Sequence, residues 1–201
     1  MIKIENVNIY GLEDSIRASK FPMATDASLM TSEPTNTTKK LFCADVGSGH
    51  DVALNGIIVQ FDLTMPIKMS TELQRYHFID FISSESTMHR ITKFNIKDRC
   101  DSHVDSRIVD ILQEKVYEYN RLKSLQKENK IESREEILKE LYLDVLMSVP
   151  CGFNLTARMT TNYRQLKTIY YQRKNHRLPG WHEFCDWCET LPLFKEFVLG
   201  E

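Results

Sequence analysis

Gly56-Ile-Ile-Val-Gln-Phe-Asp62 is a short run of β-branched and apolar residues in the first half of the 201-residue chain. Such a run predicts a central strand of a sheet. Pro66 follows and closes the strand, because proline cannot donate a hydrogen bond to a strand ladder. Ser70-Thr-Glu-Leu-Gln-Arg75 then predicts the start of a helix. Upstream, the near alternation of apolar and polar residues over 2–9 predicts a first strand that ends at Gly11.

Helical periodicity dominates the second half of the chain. An amphipathic helix is predicted at about 107–128, and the capping-box pattern Ser133-Arg-Glu-Glu136 predicts the start of a second helix that runs towards Pro150. Two more helices are predicted at 161–176 and 181–190. Residues 12–46 show no sustained periodicity and are predicted to be an irregular loop. We therefore expect one α+β domain over 1–201, with a long helical pair at about 107–146.

Charge is distributed unevenly along the chain. The formal net charge is −2, which gives no global reason to expect nucleic acid or a membrane as partner. Residues 161–177 nevertheless hold five Lys or Arg residues and no acid. A basic segment on an acidic protein favours a specific anion site. The chain shows neither a signal-peptide pattern nor an apolar run of ~18 residues, and its five scattered cysteines fit reduced thiols, so we expect a cytoplasmic protein.

Two motifs have ordinary explanations beside the functional ones. Cys185-Asp-Trp-Cys188 has the spacing of a metal or redox motif, but no second Cys or His pair has ligand spacing. Both cysteines fall on one apolar helical stripe, so we predict core packing and no metal. Gly47-Ser-Gly-His50 is predicted to form a tight turn or a phosphate-binding turn; it lacks the Lys-Ser/Thr of a P-loop.

The basic helix carries Asn162, Leu166, Ile169 and Arg173 on one stripe. A polar amide and a guanidinium at the two ends of an apolar stripe favour a cleft wall, because buried polar groups need partners. The alternative is an amphipathic helix with a solvated basic side. Tyrosines between the basic residues also leave single-stranded nucleic acid open as a ligand.

A second group of polar residues lies near the predicted helix after Pro66. Arg75-Tyr-His77 is followed by Ser83-Ser-Glu-Ser86 and by Met88-His-Arg90. This concentration of Arg, His and hydroxyl side chains is either an anion-binding patch or a polar junction between a helix and a loop.

In this order the residues resemble the flavin-dependent thymidylate synthases. The resemblance rests on two sets of residues, over about 45–95 and 145–190. The first set is His50, Pro66, Arg75, His77 and Ser86, and the second is Pro150, Asn162-Tyr-Arg164, Arg173 and Trp181.

The resemblance implies an α+β subunit with a small antiparallel sheet, in a homotetramer that binds FAD between subunits. Reduced flavin would pass one carbon from methylenetetrahydrofolate to a pyrimidine deoxynucleotide such as dUMP, with NADPH as reductant and no catalytic protein nucleophile. Flavin contacts are implied for His50, Asn55, Arg75, His77, Asn162 and Arg164. Nucleotide contacts are implied for Ser86, Arg90 and Arg173.

The sequence departs from the family pattern at several of these positions. Arg75-Tyr76-His77 stands where the family has an Arg-His-Arg triplet. Met88 and Leu146 stand where the family has arginines, and Thr168 replaces a flavin-binding Asn. The sequence also resembles small phage and prophage relatives of the family, in which similar substitutions occur. For a phage protein the compartment would be the host cytoplasm. Two hypotheses follow: a divergent enzyme, or a non-catalytic protein that binds or sequesters a nucleotide on the same fold. A nucleic-acid-binding module is a third.

Overall fold

The computed structural model describes residues 2–129 and 135–201. Four strands form one antiparallel sheet in the order β1-β2-β4-β3. The strands are β1 (Lys3–Tyr10), β2 (Ile58–Pro66), β3 (Ile79–Ser84) and β4 (Asn154–Asn162). Helices account for most of the remaining regular structure, which confirms the predicted α+β class.

The helices vary from one turn to more than six. They are α1 (Leu12–Ala18), α2 (Asn36–Phe42), α3 (Ile67–Leu73), α4 (Thr87–Arg90), α5 (Ile96–Arg99), α6 (Ser106–Asn129), α7 (Glu135–Met147), α8 (Tyr163–Arg173) and α9 (Pro179–Glu189). The chain forms two compact units. The first comprises Met1–Leu63, Glu72–Ser83 and Ala157–Glu201, and the second comprises Thr64–Thr71 and Ser84–Thr156. A single domain over 1–201 stays a prediction.

β2 is an interior strand, as its sequence predicts. Every second side chain is buried, from Val59 to Met65, and the strand ends at Pro66. This period of two is the one that a strand with one buried face requires. The apolar run at 56–62 therefore supplies core residues on one face of the sheet.

The first unit has an aromatic core that includes α9. Trp181 and Phe184 are fully buried, and Cys185 and Cys188 lie beside them on the same helical face. The predicted core packing of the Cys-x-x-Cys motif is confirmed. Burial raises the pKa of Cys185 to about 11, and the pKa of Cys188 is raised well above its usual value, so both thiols are protonated at neutral pH.

The second unit is built on the antiparallel pair α6 and α7. Leu112 and Val116 of α6 are buried with Leu138 and Val145 of α7 in one hydrophobic cluster. The helical pair predicted at about 107–146 is thereby observed. Of the predicted capping box, Ser133 and Arg134 lie outside the described residues.

Residues 12–46 are more regular than predicted. They contain α1, α2 and two short 3-10 turns. Thr35 caps α2 by accepting a hydrogen bond from the N–H of Thr38 at 3.2 Å. Helices of seven residues span about two turns, which is too short for a periodic apolar pattern to develop. The expected irregular loop is therefore wrong for these two segments.

Within 2–129 and 135–201, none of the helices has the length and apolar character needed to cross a bilayer.

Candidate functional site

Asp51 lies at the centre of a buried charge cluster in the first unit. Its Oδ1 accepts a hydrogen bond from Nε of Arg164 at 3.0 Å, and its Oδ2 lies 3.2 Å from Nζ of Lys167. Asp51 is fully buried and the Lys167 side chain is 1% exposed, whereas Arg164 keeps 32% of its side chain exposed. Lys167 also donates to the carbonyl oxygens of Phe42, at 2.8 Å, and of Ala44.

Asn162 is the N-cap of α8. Its side-chain oxygen accepts a hydrogen bond from the N–H of Gln165 at 2.9 Å. Asn is among the preferred residues at this position, because its side chain satisfies a backbone N–H that the helix leaves free. Asn162, for which the resemblance implies a flavin contact, thus has a structural role as the cap of α8.

The stripe on α8 packs differently from the predicted cleft wall. Leu166 and Ile169 are fully buried in the core, and the two polar ends of the stripe already have protein partners. An apolar pair at the middle of a short helix packs inward when the unit offers enough apolar surface, as it does here. The cleft-wall expectation is therefore wrong for Leu166 and Ile169.

Four other predicted flavin residues are exposed on the first unit. They are His50, Asn55, Arg75 and His77. His50 follows a tight turn in which the N–H of Ser48 donates to the carbonyl of Asp45 at 3.0 Å, with Gly47 and Gly49 at positive φ. Asn55 lies in a 3-10 turn, Val52–Gly56, and Arg75 and His77 follow α3.

Arg173 is held by an acidic and aromatic cluster of the first unit. Its Nη1 lies 3.3 Å from Oε2 of Glu72, and its Nε donates to the hydroxyl of Tyr76 at 2.8 Å. Its guanidinium carbon lies 4.8 Å from the centre of the Trp181 ring. The Arg173 and Glu72 side chains are only 14% and 12% exposed. The predicted nucleotide contact is thus already paired within the chain.

Trp181 and His176 complete this cluster. The indole N–H of Trp181 donates to Oε2 of Glu72 at 3.0 Å, and Nε2 of His176 lies 3.5 Å from the same oxygen. Sequence reasoning missed Glu72, since an acid in a short helix is ordinarily read as a solvated residue.

An open pocket of about 580 Å³ lies in the second unit. It is lined by Ser84, Glu85, Ser86, His89, Arg90 and Phe94. Ser86 is partly buried, and Arg90 and His89 are exposed at the end of α4. Two predicted nucleotide contacts, Ser86 and Arg90, are therefore brought to one pocket.

Glu85 fixes the backbone at this pocket. Arg99 donates two hydrogen bonds to its carboxylate, at 2.6 and 2.8 Å, and the N–H of Thr156 donates to the same group at 2.8 Å. Partial burial raises the pKa of Glu85, but the hydrogen bonds from Arg99 and Thr156 outweigh it, and the pKa is lowered overall. Glu85 is thus a hydrogen-bonded carboxylate that lines the pocket next to Ser86.

Over the described ranges 2–129 and 135–201, no group of three or more His, Cys, Asp or Glu side chains has the arrangement of a metal site.

No protein-family model matches the sequence, and no curated protein matches it. Solved structures do match it over nearly the whole chain. The flavin-dependent thymidylate synthase ThyX from Helicobacter pylori, solved with FAD and dUMP, aligns with 98% of this chain and 97% of its own, with a TM-score of 0.63 at 13% identity. The chain has the ThyX fold.

A second solved structure also aligns with this chain. The UMP/dUMP methylase PolB from Streptomyces cacaoi, solved with 5-Br dUMP, aligns with 100% of this chain and 95% of its own, with a TM-score of 0.63 at 15% identity. The resemblance to flavin-dependent thymidylate synthases is thus confirmed for the ThyX fold. The roles of individual site residues stay predictions.

Proposed function

We propose that this chain is a divergent flavin-dependent thymidylate synthase-like protein that binds FAD and a pyrimidine deoxynucleotide such as dUMP. The proposal is supported by a ThyX fold that extends over the whole chain and is shared with one protein solved with FAD and dUMP and another solved with a dUMP analogue. Fold alone does not define an activity, so the proposal depends on the residues of the site.

The single observation that carries the proposal is the pocket with Ser86, His89 and Arg90. Its volume of about 580 Å³ lies in the range of small-molecule sites. The guanidinium of Arg90 suits a phosphate, because its planar fork matches two phosphate oxygens. The hydroxyl of Ser86 is a donor or acceptor beside it, and Phe94 offers an apolar ring. One cation, one hydroxyl and one aromatic wall are the groups that a nucleotide monophosphate needs.

The proposed flavin residues form a donor set that fits a dinucleotide. Arg75, His77 and Arg164 provide cationic or hydrogen-bond-donating groups, and His50 and Asn55 add polar groups; all have exposed side-chain surface in the first unit. Exposed hydrogen-bond donors of this kind can bind the diphosphate of FAD, because charge-assisted hydrogen bonds to phosphate are strong. When bound and reduced by NADPH, FAD would supply the chemistry that passes one carbon from methylenetetrahydrofolate to the nucleotide.

The chain's own part in the reaction would be binding and orientation. Arg90 would neutralise the phosphate, and the hydroxyl of Ser86 would orient the nucleotide in the pocket. No protein nucleophile is required in this proposal. As in the family that the sequence resembles, we propose a homotetramer with the site between subunits.

A specific observation favours a second candidate function. Arg173 is paired with Glu72, and Met88 and Leu146 occupy two positions at which the family has arginines. A nucleotide-binding protein without catalysis needs less phosphate neutralisation than an enzyme that holds the reacting geometry. The second candidate is therefore a non-catalytic nucleotide-binding or sequestering protein on the same fold.

Calorimetric titration with dUMP and with deoxyuridine tests the nucleotide proposal. We expect the parent to bind dUMP more tightly than deoxyuridine, and Arg90→Gln to lose about 10- to 100-fold in dUMP affinity. Arg121→Gln, an exposed arginine on α6, is the matched control and should bind like the parent. Equal binding by Arg90→Gln and the parent would remove Arg90 from the site.

Turnover separates the two candidate functions. The parent is supplied with FAD, NADPH, methylenetetrahydrofolate and dUMP, and methylated nucleotide is measured by mass spectrometry. Product formation supports the enzyme. Tight dUMP binding without product supports the binding protein, and no binding of either nucleotide contradicts both.

A further inference from the structure

One buried carboxylate, that of Asp51, contacts two cations that lie one helical turn apart on α8. Arg164 donates from Nε to Oδ1 at 3.0 Å, and Nζ of Lys167 lies 3.2 Å from Oδ2. Two positive charges against one negative charge leave a net positive charge at this point. Asp51 and Lys167 are excluded from solvent, so the exposed end of that charge is the Arg164 guanidinium.

The ammonium group of Lys167 connects α8 to two other segments of the chain by hydrogen bonds. Its three acceptors are the carboxylate of Asp51, the carbonyl of Phe42 at the end of α2 and the carbonyl of Ala44 in the following turn. An ammonium group has three donors, so all are used. A buried charge that is fully hydrogen-bonded holds its partners in one arrangement, because each alternative leaves a charge without a partner.

The backbone of Asp51 belongs to the segment that carries two proposed flavin residues. The carbonyl of Asp51 accepts from the N–H of Leu54 at 3.0 Å and starts the 3-10 turn that holds Asn55. His50 precedes Asp51 directly. Asp51 therefore links three proposed flavin residues: Arg164 through its carboxylate, and His50 and Asn55 through its backbone.

The contact with Asp51 leaves part of the Arg164 side chain exposed to solvent. Among the described residues, the guanidinium of Arg164 makes one hydrogen bond, from Nε to Oδ1 of Asp51. The terminal nitrogens thus stay available while Asp51 restricts the side chain. A side chain that is held before the ligand arrives loses less entropy on binding.

We infer that Lys167 is a positioning residue for the flavin site: through Asp51 it holds Arg164, and with it the segment of His50 and Asn55, in the arrangement that receives the cofactor. This inference rests on the proposed function. Lys167 does not touch the cofactor itself. Its effect on FAD affinity should therefore depend on the presence of Arg164. A residue that only stabilised the fold would affect FAD affinity whether or not Arg164 is present.

A double-mutant cycle on FAD affinity tests this inference. The intact chain and the variants Lys167→Met, Arg164→Gln and the double variant are titrated with FAD, with binding followed by flavin fluorescence. All are compared at a temperature at which circular dichroism shows each to be folded. We expect Lys167→Met to weaken FAD binding about tenfold in the parent, and to have little further effect in the Arg164→Gln variant.

Two further variants serve as controls. Lys167→Arg keeps the charge and should restore part of the affinity, and Lys174→Met removes an exposed lysine that lies over Tyr170 and Tyr171 on the same helix and should bind FAD like the parent. Where Lys167→Met does not fold, Lys167→Gln replaces it in the cycle, because the amide still donates hydrogen bonds but carries no charge beside Asp51.

The outcomes distinguish this inference from the proposed function. A parent that binds no FAD contradicts the proposed function, and the positioning role with it. If the parent binds FAD, either unchanged affinity of Lys167→Met or independent, multiplicative effects of the Lys167 and Arg164 changes overturn the positioning role alone.

Discussion

Arg173 and Glu72 form a mostly buried ion pair, with Nη1 of Arg173 3.3 Å from Oε2 of Glu72. The same carboxylate oxygen accepts from the indole N–H of Trp181, over which the guanidinium lies. A nucleotide phosphate that approached Arg173 would compete with a carboxylate that is already in place. Arg173 is therefore part of the fold of the first unit before any ligand binds.

Removal of Arg173 should destabilise the protein. Arg173→Ala removes the guanidinium from a mostly buried carboxylate, and we expect the free energy of unfolding to fall by about 2–3 kcal/mol. Chemical denaturation measures this loss. Glu72→Gln in the Arg173→Ala background should recover part of it, because the mostly buried negative charge is then removed.

The same variant distinguishes a structural role of Arg173 from a role in nucleotide binding. If Arg173→Ala unfolds like the parent, within about 0.5 kcal/mol, and dUMP affinity collapses, the guanidinium serves the ligand instead of the fold.

The Glu85–Arg99 pair predicts a pH dependence of stability. The pKa of Glu85 is lowered below its ordinary value of 4.5, so its contribution is complete above that value and is lost as the pH falls through the folded-state pKa. The free energy of unfolding of the parent should therefore fall more steeply than that of Glu85→Gln between about pH 5 and about pH 3. Other carboxylates titrate in both proteins, and the difference isolates Glu85. Parallel pH profiles would contradict a favourable role for the pair.

Asn162 allows a capping role to be separated from a ligand role. Asn162→Ala removes the cap of α8 and should cost about 1 kcal/mol, whereas Asn162→Asp caps equally well and should leave stability unchanged. FAD titration of the Asp variant then reports on the amide nitrogen. Weaker binding at unchanged stability supports a flavin contact, and parental affinity leaves Asn162 as a cap alone.

The cysteines should differ in their reactivity. Cys185 and Cys188 are buried and their pKa values are raised, so alkylation of the native protein at about pH 8 should spare both. Cys151 is exposed and should be alkylated first. Mass spectrometry of timed samples gives the order. Modification of Cys188 in the native protein as fast as Cys151 would contradict its place in the core.

The fold was predictable where a periodic pattern is long. β2, α6 and α9 follow from apolar runs and stripes that local sequence makes visible. β4 was missed because its alternating apolar positions hold Leu155, Ala157 and Met159, none of which is β-branched or aromatic, so its strand signal is weaker than that of β2.

The candidate site was predictable in its residue types but not in its pairing. Asp51 and Arg164 are 113 positions apart, and Glu72 and Arg173 are 101 apart. Their partners come together only through the fold, and no local pattern shows which cation will be neutralised. Lys167 illustrates the difficulty, since a lysine in a basic helix reads as solvated and is here buried.

FAD retention tests the central claim most directly. The purified protein is incubated with excess FAD, desalted, and its visible absorbance spectrum is compared with that of an untreated sample. We expect flavin bands that correspond to about one equivalent per subunit. A colourless protein that cannot retain added FAD would contradict a flavin-dependent function and leave the ThyX fold to serve another ligand.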